Sequence, residues 1–141
     1  MKIDSFIGDY FFLSNFYEPV EIVFEGLEFT SVEAAYQAAK TLELGKRKEF
    51  VNLTSKEAKK LGKKIKLRLD WDQVKISIMM ELVYYKFKNN EDLKEKILDT
   101  GSSELIEGNW WGDCYWGVYN GIGKNMLGKI LMVVRSRLRK I

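Results

Sequence analysis

Hydrophobic and polar residues alternate in one stretch near the start of the chain. The segment VEIVFEGLEFT, 20–30, alternates on both sides of Glu25-Gly26. A period of two is typical of half-buried strands, and a glycine-containing pair between them is typical of a turn. The pattern therefore predicts a β-hairpin, and a weaker alternation at 2–7 predicts one more short strand.

Most of the remaining chain has a helical period, with apolar residues every three or four positions. This helical period predicts helices at about 31–42, 45–53, 55–62, 71–88, 91–99 and 124–139. Thr30-Ser31 can cap the first of these helices, and Thr30 with Glu33 fits a capping box. Asp70 with Gln73 approximates a second capping box, at the start of the predicted helix 71–88. The segment SELIEG, 103–108, predicts a short strand, and a long Trp- and Gly-rich loop follows it.

The order of these elements, a hairpin first and helices after it, predicts an α+β fold. We expect it to be predominantly helical, with a small N-terminal β-hairpin or sheet. No low-complexity linker or internal repeat interrupts the sequence. We therefore expect a single domain over residues 1–141.

Composition excludes several classes of site. The chain has no histidine and one cysteine, Cys114, which excludes Ser-His and Cys-His nucleophiles, a disulfide within the chain, and His- or Cys-rich metal sites. Proton transfer would fall to Glu, Asp, Lys, Tyr or water. No signal-like or membrane-length apolar segment is present, so we expect a soluble, cytoplasmic protein with no membrane partner. A net charge of +3 is compatible with anionic ligands.

One polar stripe lies on the alanine-rich predicted helix SVEAAYQAAK, 31–40. Glu33, Gln37 and Lys40 follow each other at i, i+4 and i+7, on one face. The commoner interpretation is a solvated helix surface. The alternative is a row of groups lining a cleft, where a carboxylate and an amine act together as base and nucleophile.

The loop before the last helix offers a second candidate site. Gly117, Gly121 and Gly123 precede Lys124 and Asn125, and free amides at a helix N-terminus favour anions such as phosphate. The segment is not a Mg-nucleotide P-loop, because a valine replaces the first required glycine and an asparagine replaces the Ser/Thr. A phosphate-binding loop of another kind stays open.

Aromatic residues crowd the same loop, where they either plug the core or stack on a flat ring of a ligand. They are Trp110, Trp111, Tyr115, Trp116 and Tyr119. Asp113 among these rings is either a general acid or a turn-forming residue. Seven basic residues between Lys56 and Arg68 form either a solvated face or a surface for a polyanion.

Four separated segments together resemble the YbiA-like or NADAR superfamily, named for NAD and ADP-ribose. They are FLSNF at 12–16, SVEAAYQAAK at 31–40, LGKKIKLRLDWDQVK at 61–75 and YWGVYNGIGKNMLGKILMVVR at 115–135. The resemblance spans nearly the whole chain in the right order. It implies an N-glycosidase that cleaves the bond between a ribose C1 and a nitrogen, without metal or cofactor.

The resemblance implies two substrate classes: ADP-ribosylated guanosine in nucleic acid, and phosphorylated ribosylamino intermediates of riboflavin synthesis. The first is the preferred expectation, and a non-catalytic module that binds ADP-ribose or nucleic acid is a further alternative. Two mechanisms stay open. Glu33 either stabilises an oxocarbenium-like state and activates water, or helps open the ribose so that Lys40 forms an imine with C1.

The resemblance also carries roles to individual positions. The expected catalytic residues are Glu33, Lys40 and Asp113. The expected substrate-binding residues are Ser14, Asn15, Phe16, Tyr36, Gln37, Trp71, Trp116, Gly117, Gly121, Gly123, Lys124 and Asn125. The sequence departs from the family pattern at Ala34-Ala35-Tyr36, Ala39 and Val118. These departures concern the identity of the substrate more than the class of reaction.

Overall fold

The computed structural model describes residues 1–140 and has the α+β, predominantly helical fold that the sequence predicts. Its elements are β1 Lys2–Ile3, a 3-10 helix Gly8–Leu13, β2 Ile22–Phe24, β3 Leu27–Phe29, α1 Val32–Ala38, α2 Leu44–Lys48, α3 Ser55–Gly62, α4 Trp71–Lys88, α5 Glu91–Asp99, β4 Glu104–Leu105, β5 Gly108–Asn109, β6 Val118–Tyr119 and α6 Met126–Arg139. Among the helices of residues 1–140, none is long and apolar enough to cross a bilayer.

The chain divides into two compact units that interleave along the sequence. Unit 1 contains residues 1–14 and the chain from Phe87 onward, and unit 2 is the continuous segment Asn15–Lys86. The glutamate and lysine of the polar stripe belong to unit 2, whereas the Trp- and Gly-rich loop belongs to unit 1. The expectation of one domain over the whole chain stays a prediction.

Unit 2 is built on the predicted hairpin. β2 and β3 pair antiparallel with Ile22 opposite Phe29, and both side chains are buried. Glu25 and Gly26 both have positive φ, as the tight turns that join twisted strands require. α1 packs against this hairpin and against α3, and every residue of α1 is buried. Its small alanine side chains allow that close approach on several sides.

Unit 1 joins both ends of the described chain. β1 pairs parallel with β4, placing Lys2 beside Glu104, and β5 pairs parallel with β6. α5 packs against α6, whose apolar stripe is buried at 3.6-residue spacing. The stripe comprises Leu127, Ile130, Leu131, Val134 and Leu138.

The structure corrects the capping box predicted at Thr30 and adds one element that the sequence pattern does not predict. Ser31, rather than Thr30, is the N-cap of α1, and its hydroxyl accepts from the Ala34 amide at 3.1 Å. The Thr30 hydroxyl instead donates to the Leu53 carbonyl. The 3-10 helix at Gly8–Leu13 was not predicted, because a single short 3-10 turn has no hydrophobic period long enough to detect.

Candidate functional site

The polar stripe of α1 does not face solvent. Glu33 is only 8% exposed to solvent, and Gln37 is only 6% exposed. The Gln37 Nε2 group donates to Glu33 Oε2 at 2.6 Å, a short hydrogen bond between neighbours one helical turn apart. The interpretation as a solvated surface is therefore wrong. Burial and the hydrogen bond from Gln37 together orient the Glu33 carboxylate.

Lys40, which follows α1, is half-buried beside this pair. Burial lowers the pKa of the Lys40 amine because it disfavours the charged form; the charge of Glu33 raises that pKa, and the charge of Lys59 lowers it. The balance is a pKa below the usual lysine value. A larger share of this amine is therefore neutral, and the neutral form is the nucleophile.

The turn predicted to contact substrate lies against the start of α1. The Asn15 carbonyl accepts from the Glu33 amide at 3.1 Å, and Asn15 Nδ2 lies 3.5 Å from the Met79 sulfur. The Phe16 ring lies 5.6 Å from the Lys59 Nζ. The structure thus places the Asn15 backbone against the Glu33 backbone and the Phe16 ring beside Lys59, and their expected contact with substrate stays a prediction.

An aromatic pair adjoins Lys40. The Tyr36 and Trp71 ring centroids are 5.1 Å apart with a 53° tilt, and Lys40 Nζ lies 5.8 Å from the Tyr36 centroid. Both rings are buried. These two expected substrate residues therefore form a wall in unit 2 on which the lysine side chain rests.

No pattern in the sequence indicates that Arg68 holds the backbone of Lys40. The Arg68 amide donates to the Lys40 carbonyl at 2.7 Å, and its guanidinium makes two hydrogen bonds to the Asp70 carboxylate. Arg68 had counted only as one charge of a basic run. Asp70, expected to cap α4, has its carboxylate engaged by this arginine. Only the folded connection between α3 and α4 places Arg68 at the end of α1.

In unit 1, Asp113 organises its own loop. Its Oδ1 accepts from the amides of Tyr115 and Trp116, each at 2.9 Å, and Asn109 bridges to its backbone. This geometry is that of a turn-forming aspartate. The expected role of Asp113 as a general acid stays a prediction, as do the roles of Ser14, at the end of the 3-10 helix, and Trp116.

The glycines of this loop serve close packing. A Cβ on Gly117 would lie 1.7 Å from Glu107 Oε2, and one on Gly123 would lie 2.2 Å from the Gly117 carbonyl oxygen. Gly121 and Gly123 also have positive φ. Asn125 has positive φ too, and its side chain bonds the backbone of Glu107 and Leu105. These residues therefore have a structural role, which leaves their expected contact with substrate a prediction.

The amides before α6 do not form the open phosphate cradle that the sequence left possible. The amides of residues 124–127 donate to the carbonyls of residues 114–117, at distances from 2.8 to 3.2 Å. An amide that already donates to a carbonyl has no free hydrogen for phosphate. The Lys124 side chain is a cationic group at this place, and its Nζ lies 5.6 Å from the Tyr115 ring centroid.

Unit 1 also contains an open cleft of about 810 Å³. Lysines 2, 124 and 129 line it together with Trp110, Gly121, Gly123 and the acidic Asp4 and Glu104. Trp110 and Trp111 are 72% and 50% exposed, and their rings make an edge contact. These two tryptophans are thus not core plugs. Among residues 1–140 no cluster of three metal-ligating side chains is present.

Comparison with known proteins identifies relatives along nearly the whole chain. Residues 5–139 match the NADAR domain. An N-glycosidase of Nostoc punctiforme is 39% identical over 136 residues, which cover 91% of this chain and 85% of that protein. The N-glycosidase YbiA of Escherichia coli K12 is 33% identical over 135 residues, covering 92% of this chain and 82% of YbiA.

A riboflavin biosynthesis protein of Vibrio vulnificus is 34% identical over 133 residues, which cover 92% of this chain but 36% of that longer protein. The fold is also that of a solved relative. The NMR structure of E. coli YbiA superposes with a TM-score of 0.86 at 30% identity, covering 99% of this chain and 84% of that one.

Proposed function

The chain belongs to the NADAR domain family and is a hydrolase of N-glycosyl bonds, and from this premise we propose that it removes ADP-ribose from guanine in nucleic acid. The observation that carries the proposed site is the buried Glu33–Gln37 pair beside the Lys40 amine. A carboxyl group and an amine of lowered pKa are the two groups that ribose ring opening and imine formation require.

The proposed reaction uses both groups in turn. Glu33, in its protonated form, gives its proton to the ribose ring oxygen as the C1–O bond breaks and the guanine nitrogen shares its electron pair with C1. The neutral Lys40 amine adds to C1 and passes a proton to that nitrogen, which leaves as the free amine of guanine. Water then adds to the protonated C1–lysine imine, Glu33 takes back one proton, and the lysine leaves as the neutral amine. The sugar aldehyde then closes to ADP-ribose.

Charge supports nucleic acid as the carrier of the ADP-ribose group. α3 belongs to the same unit as Glu33 and Lys40, and its Lys59 is close enough to lower the pKa of Lys40. Lys56 and Lys60 of the same helix are exposed. Lysines on one helix provide phosphate contacts that carry no sequence preference.

The test of this function compares wild-type protein with Glu33→Gln. Each is incubated with an ADP-ribosylated guanosine oligonucleotide, and free ADP-ribose is measured by mass spectrometry. We expect Glu33→Gln to lose about 10²–10⁴-fold in rate, because an amide cannot transfer the proton. Glu28→Gln, which makes the same change at an exposed position of the hairpin, is the control and should keep full activity. Full activity in Glu33→Gln would remove Glu33 from the chemistry.

A second candidate substrate is a phosphorylated ribosylamino intermediate of riboflavin synthesis, favoured by the likeness to the Vibrio vulnificus protein. The two substrates differ in their need for the lysines of α3. With Lys56→Gln/Lys60→Gln, release of ADP-ribose from the oligonucleotide should slow and lose part of its salt dependence. Hydrolysis of a small ribosylamine phosphate should not change. Wild-type turnover of the small substrate alone would favour the second candidate.

A further inference from the structure

Gly62, the last residue of α3, leaves space that a side chain of α1 fills. A Cβ at position 62 would lie 1.9 Å from Gln37 Oε1, 2.6 Å from Gln37 Cδ and 3.2 Å from Gln37 Cβ. Real Cβ atoms do not approach other atoms to 1.9 Å. The amide of Gln37 therefore occupies the place of the missing Cβ, and its oxygen faces the Cα hydrogen of Gly62.

The contact explains the orientation of the Gln37 amide. Gln37 Oε1 is buried and has no hydrogen-bond partner among residues 1–140, although an unpaired buried acceptor costs about 1–3 kcal/mol. The opposite orientation would turn this oxygen toward Glu33 Oε2, placing two acceptors in contact. Glu33 thus selects the orientation that points Nε2 toward it, and Gly62 gives the oxygen room to point away.

We propose that Gly62 is a positioning residue for the N-glycosidase reaction, because it holds the Gln37 amide against the Glu33 carboxylate. The inference rests on the proposed role of Glu33. Displacing the Gln37 amide would remove the hydrogen bond that its Nε2 group donates to Glu33 Oε2 and so would shift the carboxylate. Reacting groups misplaced by about 1 Å lose up to roughly 10²-fold in rate. Gly62 itself does not need to contact substrate, because its effect on the rate passes through Gln37 to Glu33.

The experiment is a double-mutant cycle with Gly62→Ala and Gln37→Ala. We expect Gly62→Ala to lower kcat at least about tenfold with little change in KM. Gln37→Ala should lower kcat as well, and the double variant should match Gln37→Ala within about twofold, since nothing remains for the added methyl to displace. Alanine at 37 leaves only its Cβ, 3.2 Å from the new methyl, which requires an adjustment of a few tenths of an ångström.

Gly45→Ala is the matched control, because nothing lies within 4 Å of its Cβ position in α2. It should retain wild-type kcat. Losses that multiply in the double variant, or full activity in Gly62→Ala, would overturn the proposal. If Gly62→Ala does not fold, the double variant must fold with the activity of Gln37→Ala; a misfolded double variant also overturns it. A fully active Glu33→Gln protein would show instead that the proposed role of Glu33, on which this inference rests, is wrong.

Discussion

At the scale of single residues, the environment of Lys40 decides its chemistry. Its pKa is lowered by burial and by the charge of Lys59, while Glu33 opposes both effects. Because a lower pKa gives the neutral amine at lower pH, the charge of Lys59 favours the form of Lys40 that the proposed imine mechanism requires. While it is ionised, the Glu33 carboxylate opposes that shift in the Lys40 pKa.

We therefore expect Lys59→Met to raise the pKa of Lys40. At a fixed pH near 8 the neutral fraction of Lys40 falls, so formation of the imine slows, and the pH profile moves to higher pH. Borohydride trapping of the imine during turnover, measured across pH 6–10, checks this. Lys60→Met on the same helix is exposed and should leave the profile in place. No adduct in wild type, or an adduct that persists in Lys40→Ala, would contradict the imine.

The sequence predicted which residues form the stripe but not whether they are buried. Spacing places Glu33 and Gln37 on one face, and the solvated interpretation was the commoner choice. Burial came from a contact 25 positions along the chain, where Gly62 receives the Gln37 amide. Periodicity within a helix carries no information about the helix that will pack on it. The resemblance, rather than the spacing, pointed to chemistry.

At the scale of elements, α1 is short for the role assigned to it. It has seven residues, and isolated helices of that length are unstable in water. Packing on α3 and the hairpin stabilises it, together with the Ser31 cap two positions before Glu33. The cap therefore holds the end of the helix from which the carboxylate projects.

Ser31→Ala should lower the free energy of unfolding by about 1 kcal/mol, with a fall in kcat as α1 frays at Glu33. Thr54→Ala serves as the comparison. The Thr54 hydroxyl accepts from the Glu57 amide and caps α3, and the substitution removes this cap. It should cost a similar amount of stability and leave kcat unchanged. Urea denaturation and steady-state kinetics measure both quantities. Equal kcat values in the two variants would show that the cap does not reach the site.

Sequence patterns were most informative for long helices with strong boundaries. α4 and α5 begin and end where they were predicted, at 71–88 and 91–99, because many periodic positions and turn residues at their ends agree. α1 was predicted to reach residue 42 but ends at Ala38. The alanine-rich composition favours continuation, yet the Lys40 carbonyl is taken by the Arg68 amide. A tertiary hydrogen bond of this kind is not visible in local propensity.

At the scale of the whole molecule, a buried lysine links stability to pH. Lys86 of α4 is 1% exposed, and burial lowers its pKa from 10.5 to about 7; its Nζ lies 5.3 Å from the Tyr17 ring centroid. Between these two values the unfolded chain binds the proton and the folded chain does not. Stability therefore rises with pH across that window and is lowest below pH 7, where the folded state must bury a charge.

Lys86→Met should remove this dependence. At pH 7 the variant should gain stability, on the order of a few kcal/mol if the whole shift is relieved, and its stability should change less between pH 7 and 9. Chemical denaturation at pH 7, 8 and 9 measures the slope. Lys88→Met, an exposed change on the same helix, should keep the wild-type slope. A wild-type protein with flat stability over this range would contradict the argument.

The hydrogen bonds between residues 124–127 and the carbonyls of residues 114–117 have a consequence for motion. Four consecutive amides at the start of α6 become exchangeable with solvent only when the Trp- and Gly-rich loop detaches. In a hydrogen–deuterium exchange experiment, these four amide hydrogens should therefore exchange together, with one common protection factor. The loop and the first turn of α6 then constitute one cooperative unit, and a loop that opened to admit a ligand would leave the start of the following helix uncapped.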